Sequence, residues 1–365
     1  MATPGNAVAL ERGDRIPSFS LPNHDGRGMT FYDMARGNPG LILIEAEKGG
    51  STDREIDAIR DAKTQMEKAG LELFIVTRRN LKACQAFAAT IDQPAPVLRD
   101  TAGQVTAAFR AAAFQEGRGN ALFGLAYDSN QRILDTLVPG DISLIDQALC
   151  LVAQEPSLAR TEPIAGQAPV LIIPNLLSTA ECETLTAYWQ TTNTEGGVSG
   201  YQDGKFIDAQ DISQKKRRDS RLEDENLRNR VMGKIAKRLV SEMGKSFCYQ
   251  DFILEPPLVA CYEADRQDYF LRHRDNLSPQ MATRRFALSL NLNDGYDGGA
   301  LVFPEYGGQP YSPAAGAGIV FSCAHVHEAL PVTRGERFVL LTFLHDPNRK
   351  PHPWSIPAQD GKKPS

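Results

Sequence analysis

In the first half of the chain, apolar residues form short continuous runs separated by amphipathic stretches. Leu41–Ala46 is one such run, suited to a buried strand. Over Asp53–Lys68, Ile56, Ile59 and Met66 fall roughly on one helical face. Leu71–Thr77 predicts a second strand, and a helix through Cys84 and Phe87 follows. Ala121–Tyr127 and Arg132–Leu137 flank Asp128-Ser129-Asn130, whose composition predicts a hairpin turn. Asp141 is placed to cap a last helix carrying Leu144, Ile145, Leu149 and Val152.

The pattern then changes. Pro169–Ile173 reads as a strand, and Ser178-Thr-Ala-Glu181 as a capping box opening a helix to about Gln190. Thr191–Lys205 is polar and Gly-rich and predicts a loop. Leu227, Val231, Ile235, Leu239 and Met243 recur at four-residue spacing, which predicts a helix over Asn226–Met243. From Leu258 the period shortens. Phe286, Leu288, Leu290 and Leu292 alternate with smaller or polar residues, as in a half-buried strand. Gly-rich turns separate further strands at Ala300–Phe303, Gly318–Phe321 and Arg337–Leu344.

Strand, helix, strand, helix, hairpin and closing helix is the order of a thioredoxin fold. Two helices followed by many short strands predict a β-sandwich or barrel with helical support. The expected organisation is an α/β domain over residues 1–155, a linker over 156–167, a mainly β domain over 168–348 and a polar tail over 349–365.

Length agrees with two domains, since 365 residues exceed one ordinary domain. With 42% hydrophobic and 23% charged residues, the composition is that of a soluble globular protein. The net charge of −5 offers no general attraction to nucleic acid. No apolar run reaches the length of a membrane span, and Met1–Arg12 lacks the features of a secretory signal. Six scattered cysteines without a CxxC pair argue for thiols in a reducing cytosol. The expected location is therefore cytoplasmic, with neither membrane nor nucleic-acid partners.

Three of the six histidines lie between Arg272 and Glu328. In His273-Arg274-Asp275, residues i and i+2 of an extended segment point to one side, so an imidazole and a carboxylate can approach one cation. His327 lies 52 positions after Asp275 and supplies a third ligand. Two histidines and a carboxylate on one face of a metal form the facial triad of non-haem Fe(II) oxygenases, leaving the opposite face open. Open positions of that kind accept 2-oxoglutarate and O2. The far carboxylate of 2-oxoglutarate needs a cation. Arg337, ten residues after His327 on the next expected strand, has the planar fork for it. Pro331 and Gly335 lie in the turn between, which predicts that His327 and Arg337 sit on antiparallel neighbours facing one cavity. His325 is a rival ligand, two residues from His327 on the same side; the spacing favours His327. A bare HxD triplet is weak; with the later His and Arg it is a strong signal.

Val259-Ala-Cys-Tyr262, Tyr269-Phe-Leu-Arg-His-Arg-Asp-Asn276, Leu290-Asn-Leu-Asn293, Gly298-Gly299, Phe303-Pro304 and His327-Glu-Ala-Leu-Pro-Val332 with Gly335-Glu-Arg337 resemble the prolyl 4-hydroxylase branch of 2-oxoglutarate/Fe(II) dioxygenases. The resemblance covers about 180 residues. It implies a double-stranded β-helix (jelly-roll) core, with His273, Asp275 and His327 as iron ligands and Arg337 as 2-oxoglutarate anchor. Tyr262 matches a tyrosine that lines the co-substrate pocket. Implied too are Fe(II) as cofactor, 2-oxoglutarate as co-substrate and L-ascorbate as reductant. The implied reaction releases succinate and CO2 and hydroxylates an unactivated C–H bond of an amino acid, peptide or protein residue. Many collagen-type members carry lysine at the anchor position, so Arg337 places this chain nearer the oxygen-sensing and bacterial members. Cys261 and Cys323 read as small buried apolar residues. Lys215-Lys-Arg-Arg218 reads as a solvated basic run, or as a mobile flap touching substrate.

Gly13-Asp-Arg-Ile-Pro-Ser-Phe-Ser-Leu21, the Leu41–Ala46 strand, Asp100-Thr-Ala-Gly103 and Tyr127-Asp128 resemble the AhpC/TSA peroxiredoxins. In that group a reactive cysteine opens the first long helix, where the helix N-terminus lowers its thiol pKa. Thr52 stands at that position here, and a hydroxyl cannot form a sulfenic acid. Cys84 lies on a later helix. This domain is therefore expected to be a binding or scaffolding module, offering a contact for the second domain, a substrate or a homodimer partner. Two other readings are open: a non-enzymatic sensor keeping the metal site, and a thioredoxin-fold redox protein, against which Thr52 argues.

Overall fold

The structure, a computed structural model, describes residues 10–346 apart from 36, 48–52, 92–94, 115–119, 156–165, 197, 203–204, 210–213 and 277–280; for 198–202 and 205–209 it describes the backbone course only. Thr52, most of the expected linker and the expected polar tail lie outside the described residues. The chain divides into two compact units, Met1–Arg160 and Thr161–Ser365.

The first unit is built on a five-stranded sheet. Its spatial order is Val97–Arg99, Glu72–Thr77, Gly40–Glu45, Leu122–Tyr127 and Ile133–Leu137. The first three strands run parallel, and the last two form the antiparallel hairpin expected around Asp128. The apolar run at Leu41–Ile44 is continuous because both sheet faces are covered. Leu41 and Leu43 enter one buried cluster with Ile59, Met66, Phe87 and Ile145. Ile42 and Ile44 enter another with Phe31, Phe74 and Phe109. The single helix expected over Asp53–Lys68 is two, Asp53–Asp61 and Lys63–Ala69. The closing helix, Leu144–Gln154, is capped by the Ser143 side chain, which accepts from the Asp146 N–H, and not by Asp141. With its parallel strands and covering helices, this unit has the expected thioredoxin-like architecture.

The second unit opposes two sheets. The larger is eight-stranded: Leu171–Ile173, Gly318–Ser322, Arg284–Asn291, Glu336–His345, Leu258–Glu263, Arg218–Arg221 and Thr194–Glu195 in order, with Ile253–Leu254 also paired to Glu336–His345. The smaller orders Lys215–Lys216, Tyr269–His273, His327–Ala329, Leu301–Val302 and Pro310–Tyr311. This is the expected jelly roll. Two-residue periodicity decides what faces where. From the larger sheet, Val259, Cys261, Leu288, Leu290, Phe338 and Leu340 point to the outer face. There they pack with Trp189, Val231, Ile235 and Leu239 of the supporting helices. The alternate positions Ala260, Tyr262, Ala287, Phe321 and Val339 point between the sheets.

The helix Thr179–Thr192 opens with the expected capping box, Ser178 and Glu181 bonding reciprocally. Ser178→Ala removes a side-chain acceptor from the first turn and is expected to cost about 1 kcal/mol of stability, measurable as a shift of the denaturant midpoint at constant slope. The other long helix is Glu225–Phe247, longer at both ends than the spacing indicates. The stretch expected to be a loop after Thr191 contains strand segments, including the hairpin pairing Val198–Gln202 with Lys205–Ala209. Among the described residues no helix is long and apolar enough to cross a membrane.

Candidate metal and co-substrate site

His273 ends the strand Tyr269–His273, and His327 begins the strand His327–Ala329. The two are directly opposite in an antiparallel pair. Antiparallel register thus brings together side chains far apart in sequence, and the ring centroids lie 4.2 Å apart. Asp275 sits in the turn two residues past the end of the strand, not on it, and its N–H donates to the Cys323 carbonyl at 3.0 Å. Asp275 Oδ1 lies 3.4 Å from His273 Nε2, and Oδ2 3.4 Å from His327 Nε2.

The intervening Arg274 points away and reaches Glu305, whose carboxylate also accepts from the Val326 N–H at 2.9 Å. One exposed acid thereby ties the two ligand-bearing segments together, a brace that no sequence spacing indicated. Phe270 stacks on His273 with ring centroids 3.5 Å apart, and Phe321 lies 4.6 Å from His327. These rings leave the imidazoles little freedom to turn.

Each histidine presents Nε2 for a defined reason. His273 Nδ1 lies 2.7 Å from the Leu271 carbonyl oxygen, and His327 Nδ1 lies 3.1 Å from that of His325. A carbonyl only accepts, so each Nδ1 carries a hydrogen, and in the neutral ring the lone pair is then on Nε2. Burial lowers the His327 imidazole pKa below its ordinary value, favouring the neutral ring. Burial opposes ionisation of Asp275, but the adjacent imidazoles outweigh it and bring its carboxyl to about 2.

Among the described residues, these three form the one group whose ligand atoms all lie within 4.8 Å of each other. A transition metal roughly 2.1 Å from each donor places neighbouring donors roughly 3 Å apart, close to the spacing found. Two imidazoles with Nε2 turned inward and a carboxylate on one side fit a divalent iron-type ion. His325 is not in the group. Its Nε2 lies 3.2 Å from the Tyr306 hydroxyl.

The cavity beside this group holds about 70 Å3 and is reached by Tyr262, Arg337 and Arg217. Arg337 is 2% exposed. Parity points it between the sheets with Val339, and register sets it directly across from Tyr262. His327 and Arg337 do face one cavity, but from opposite sheets; the antiparallel-neighbour expectation is corrected here, because Val332–Arg334 separates their strands and pairs instead with Asp297–Gly298. Arg337 Nη2 donates to Asn291 Oδ1 at 2.9 Å, and its Nε is buried with no partner. Among the described residues no carboxylate pairs with this guanidinium. Gly299 makes room for it: φ is +66°, and a Cβ there would come within 2.8 Å of Arg337 Cδ.

Lys215 and Arg217, expected in a solvated run or mobile flap, are each only 6% exposed. The run's positive charge misled, because its neutralising partner is local: Asp219 takes Lys215 Nζ at 2.9 Å and Arg217 Nε at 2.7 Å. Burial works against the Asp219 carboxylate, but these two cations prevail and lower its pKa. Cys261 and Cys323 are buried, as expected. A wider groove of about 570 Å3 opens beside the cavity, and both are lined by His273, Asp275, Arg217 and Phe270.

In the first unit, Cys84 is buried and burial raises its thiol pKa. Thiol-dependent peroxide consumption by the full chain is therefore expected to be at background and unchanged by Cys84→Ser; a loss on that substitution would restore the redox reading.

Residues 257–345 match the model of the 2OG-Fe(II) oxygenase superfamily, and residues 12–125 that of the AhpC/TSA family. A PKHD-type hydroxylase of Pseudomonas putida is 36% identical over 92 residues, 23% of this chain and 40% of that protein. The chain thus spans about two fifths of that relative's length. A PKHD-type hydroxylase of Maricaulis maris is 29% identical over 157 residues, 42% of this chain and 71% of that protein. The crystal structure of peroxidoxin BcpB from Mycobacterium tuberculosis aligns at 19% identity and TM-score 0.33, covering 40% of this chain and 99% of that one. The second unit thus carries residues similar to the 2OG-Fe(II) oxygenase superfamily, and the first unit residues similar to the AhpC/TSA family.

Proposed function

We propose that this protein is a 2-oxoglutarate- and O2-dependent Fe(II) dioxygenase that hydroxylates an unactivated C–H bond of an amino acid, peptide or protein residue. The observation that carries this reading is Arg337. A buried cation without an anion is costly, and the cost is relieved when a carboxylate enters the cavity. The donor set beside it suits iron, so one small dicarboxylate can reach both.

In this reading His273, Asp275 and His327 hold Fe(II), Arg337 grips the far carboxylate of 2-oxoglutarate, and Tyr262 lines its path. When bound, iron and co-substrate supply the oxidising chemistry, with succinate and CO2 as products. The chain's own tasks are to fix the imidazole tautomers, keep one metal face open, and hold water out with Phe270 and Phe321. The groove, which shares residues with the metal cavity, is where the substrate lies. L-ascorbate serves as auxiliary reductant, and the first domain provides contacts, with a second copy of the chain among the candidate partners. Cytoplasmic conditions suit a site that needs reduced iron.

The test is anaerobic titration of 2-oxoglutarate into Fe(II)-loaded protein, followed by admission of O2 and assay of succinate. Saturable binding followed by succinate formation is expected. Binding without succinate, over a range of candidate substrates, would favour a sensor.

A further inference from the structure

Arg217 is the residue at which the chain leaves the smaller sheet, after Lys216, and joins the larger, at Arg218. That corner directs its side chain into the space between the sheets. Its Nη1 donates to the Tyr262 hydroxyl at 2.6 Å, while Nε and Nη2 lie 2.7 and 3.4 Å from the Asp219 carboxylate. The guanidinium is thus held in plane by one acid and aimed by it at one phenol.

The direction of that last bond has a consequence. A guanidinium has donors only, so Tyr262 must accept from Arg217 and keeps its own hydrogen. Among the described residues the Tyr262 hydroxyl has no second partner. Tyr262 is 3% exposed and lines the metal cavity, with the Arg337 guanidinium 5.7 Å from its ring centroid. A buried hydroxyl hydrogen without an acceptor is costly, and the acceptor that suits it is an anion beside Arg337.

We infer that Arg217 is a positioning residue: by occupying the acceptor side of the Tyr262 hydroxyl, it commits that hydroxyl to donate into the cavity, to the carboxylate that Arg337 holds. This rests on the 2-oxoglutarate reading above and adds the residue that sets hydrogen-bond polarity. Asp219, by fixing the guanidinium, acts one step further back.

The test is a double-mutant cycle on the full chain loaded with Mn(II) in place of iron, with 2-oxoglutarate titrated calorimetrically. Tyr262→Phe and Arg217→Met should each weaken 2-oxoglutarate binding about tenfold. The double variant should also lose about tenfold, because Arg217 acts only through the hydroxyl. Mn(II) affinity should be equal in all four proteins. A double variant weaker by about a hundredfold would mean independent action and would overturn the inference, as would unchanged binding in Arg217→Met. If Arg217→Met loses Mn(II), Asp219→Asn takes its place: a severalfold loss with Tyr262 present and none in the Tyr262→Phe background supports the inference, and equal losses in both overturn it. Failure of the unsubstituted, Mn(II)-loaded protein to bind 2-oxoglutarate would instead sink the co-substrate reading, and this inference with it.

Discussion

Alanine at His273, Asp275 or His327 is expected to reduce 2-oxoglutarate decarboxylation to background, whereas His325→Ala keeps appreciable activity. Each of the first three removes one of the three side chains that converge at the site, and two remaining donors hold a labile ion poorly. Their loss should appear first as lost iron after gel filtration and then as absent succinate. His325 has a different job. Its ring meets Tyr306 at the rim, and its link to His327 is through the main-chain carbonyl, which alanine keeps. Reversed outcomes for His325 and His327 would reassign the distal ligand. Because metal binding requires unprotonated imidazoles, affinity should fall as pH drops. The His327 pKa lies below its ordinary value through burial, so its lone pair persists to lower pH than that of a free histidine.

Arg337→Ala is the second large effect. It should raise the KM for 2-oxoglutarate with iron content kept, since Arg337 contacts Asn291 and not the ligand side chains. Losing one partner of a buried, charge-assisted pair costs about 2–5 kcal/mol, a rise of about 30-fold or more. Arg337→Lys keeps the charge but not the fork and should fall between. An unchanged KM would move the anchor elsewhere. Arg284 is a poor replacement, because its Nε and Nη2 already donate to the Glu255 carboxylate, at 2.7 and 2.6 Å.

The sequence was informative where side-chain period reports burial. Alternation over Phe286–Leu292 and the four-residue spacing of the Leu227–Met243 helix each mark one face of an element, and both residue sets enter the same buried cluster. The continuous apolar run Leu41–Ile44 marks a strand covered on both sides. The convergence of His273, Asp275 and His327 was legible as a motif, but its cause was not: the cross-strand pairing of His273 with His327 is a non-local register. Period says which way Arg337 points along its own strand and nothing about which sheet lies opposite, so the wrong neighbour was expected. Arg217 was hidden for another reason. Charge clusters are usually solvated, and a basic run carries no sign that an acid two residues on will hold it in place. Asp141 and Ser143 both suit an N-cap, and only the turn geometry separates them.

The two imidazoles are oriented by main-chain carbonyls, each two residues upstream, at Leu271 and His325. A carbonyl belongs to every amino acid, so the orienting partner is immune to point substitution. Saturation mutagenesis at 271 and 325 should return many tolerated amino acids, while 273 and 327 tolerate almost none. The proton that fixes each tautomer is thus guarded by the backbone trace, and genetic variation reaches it only by bending the strand.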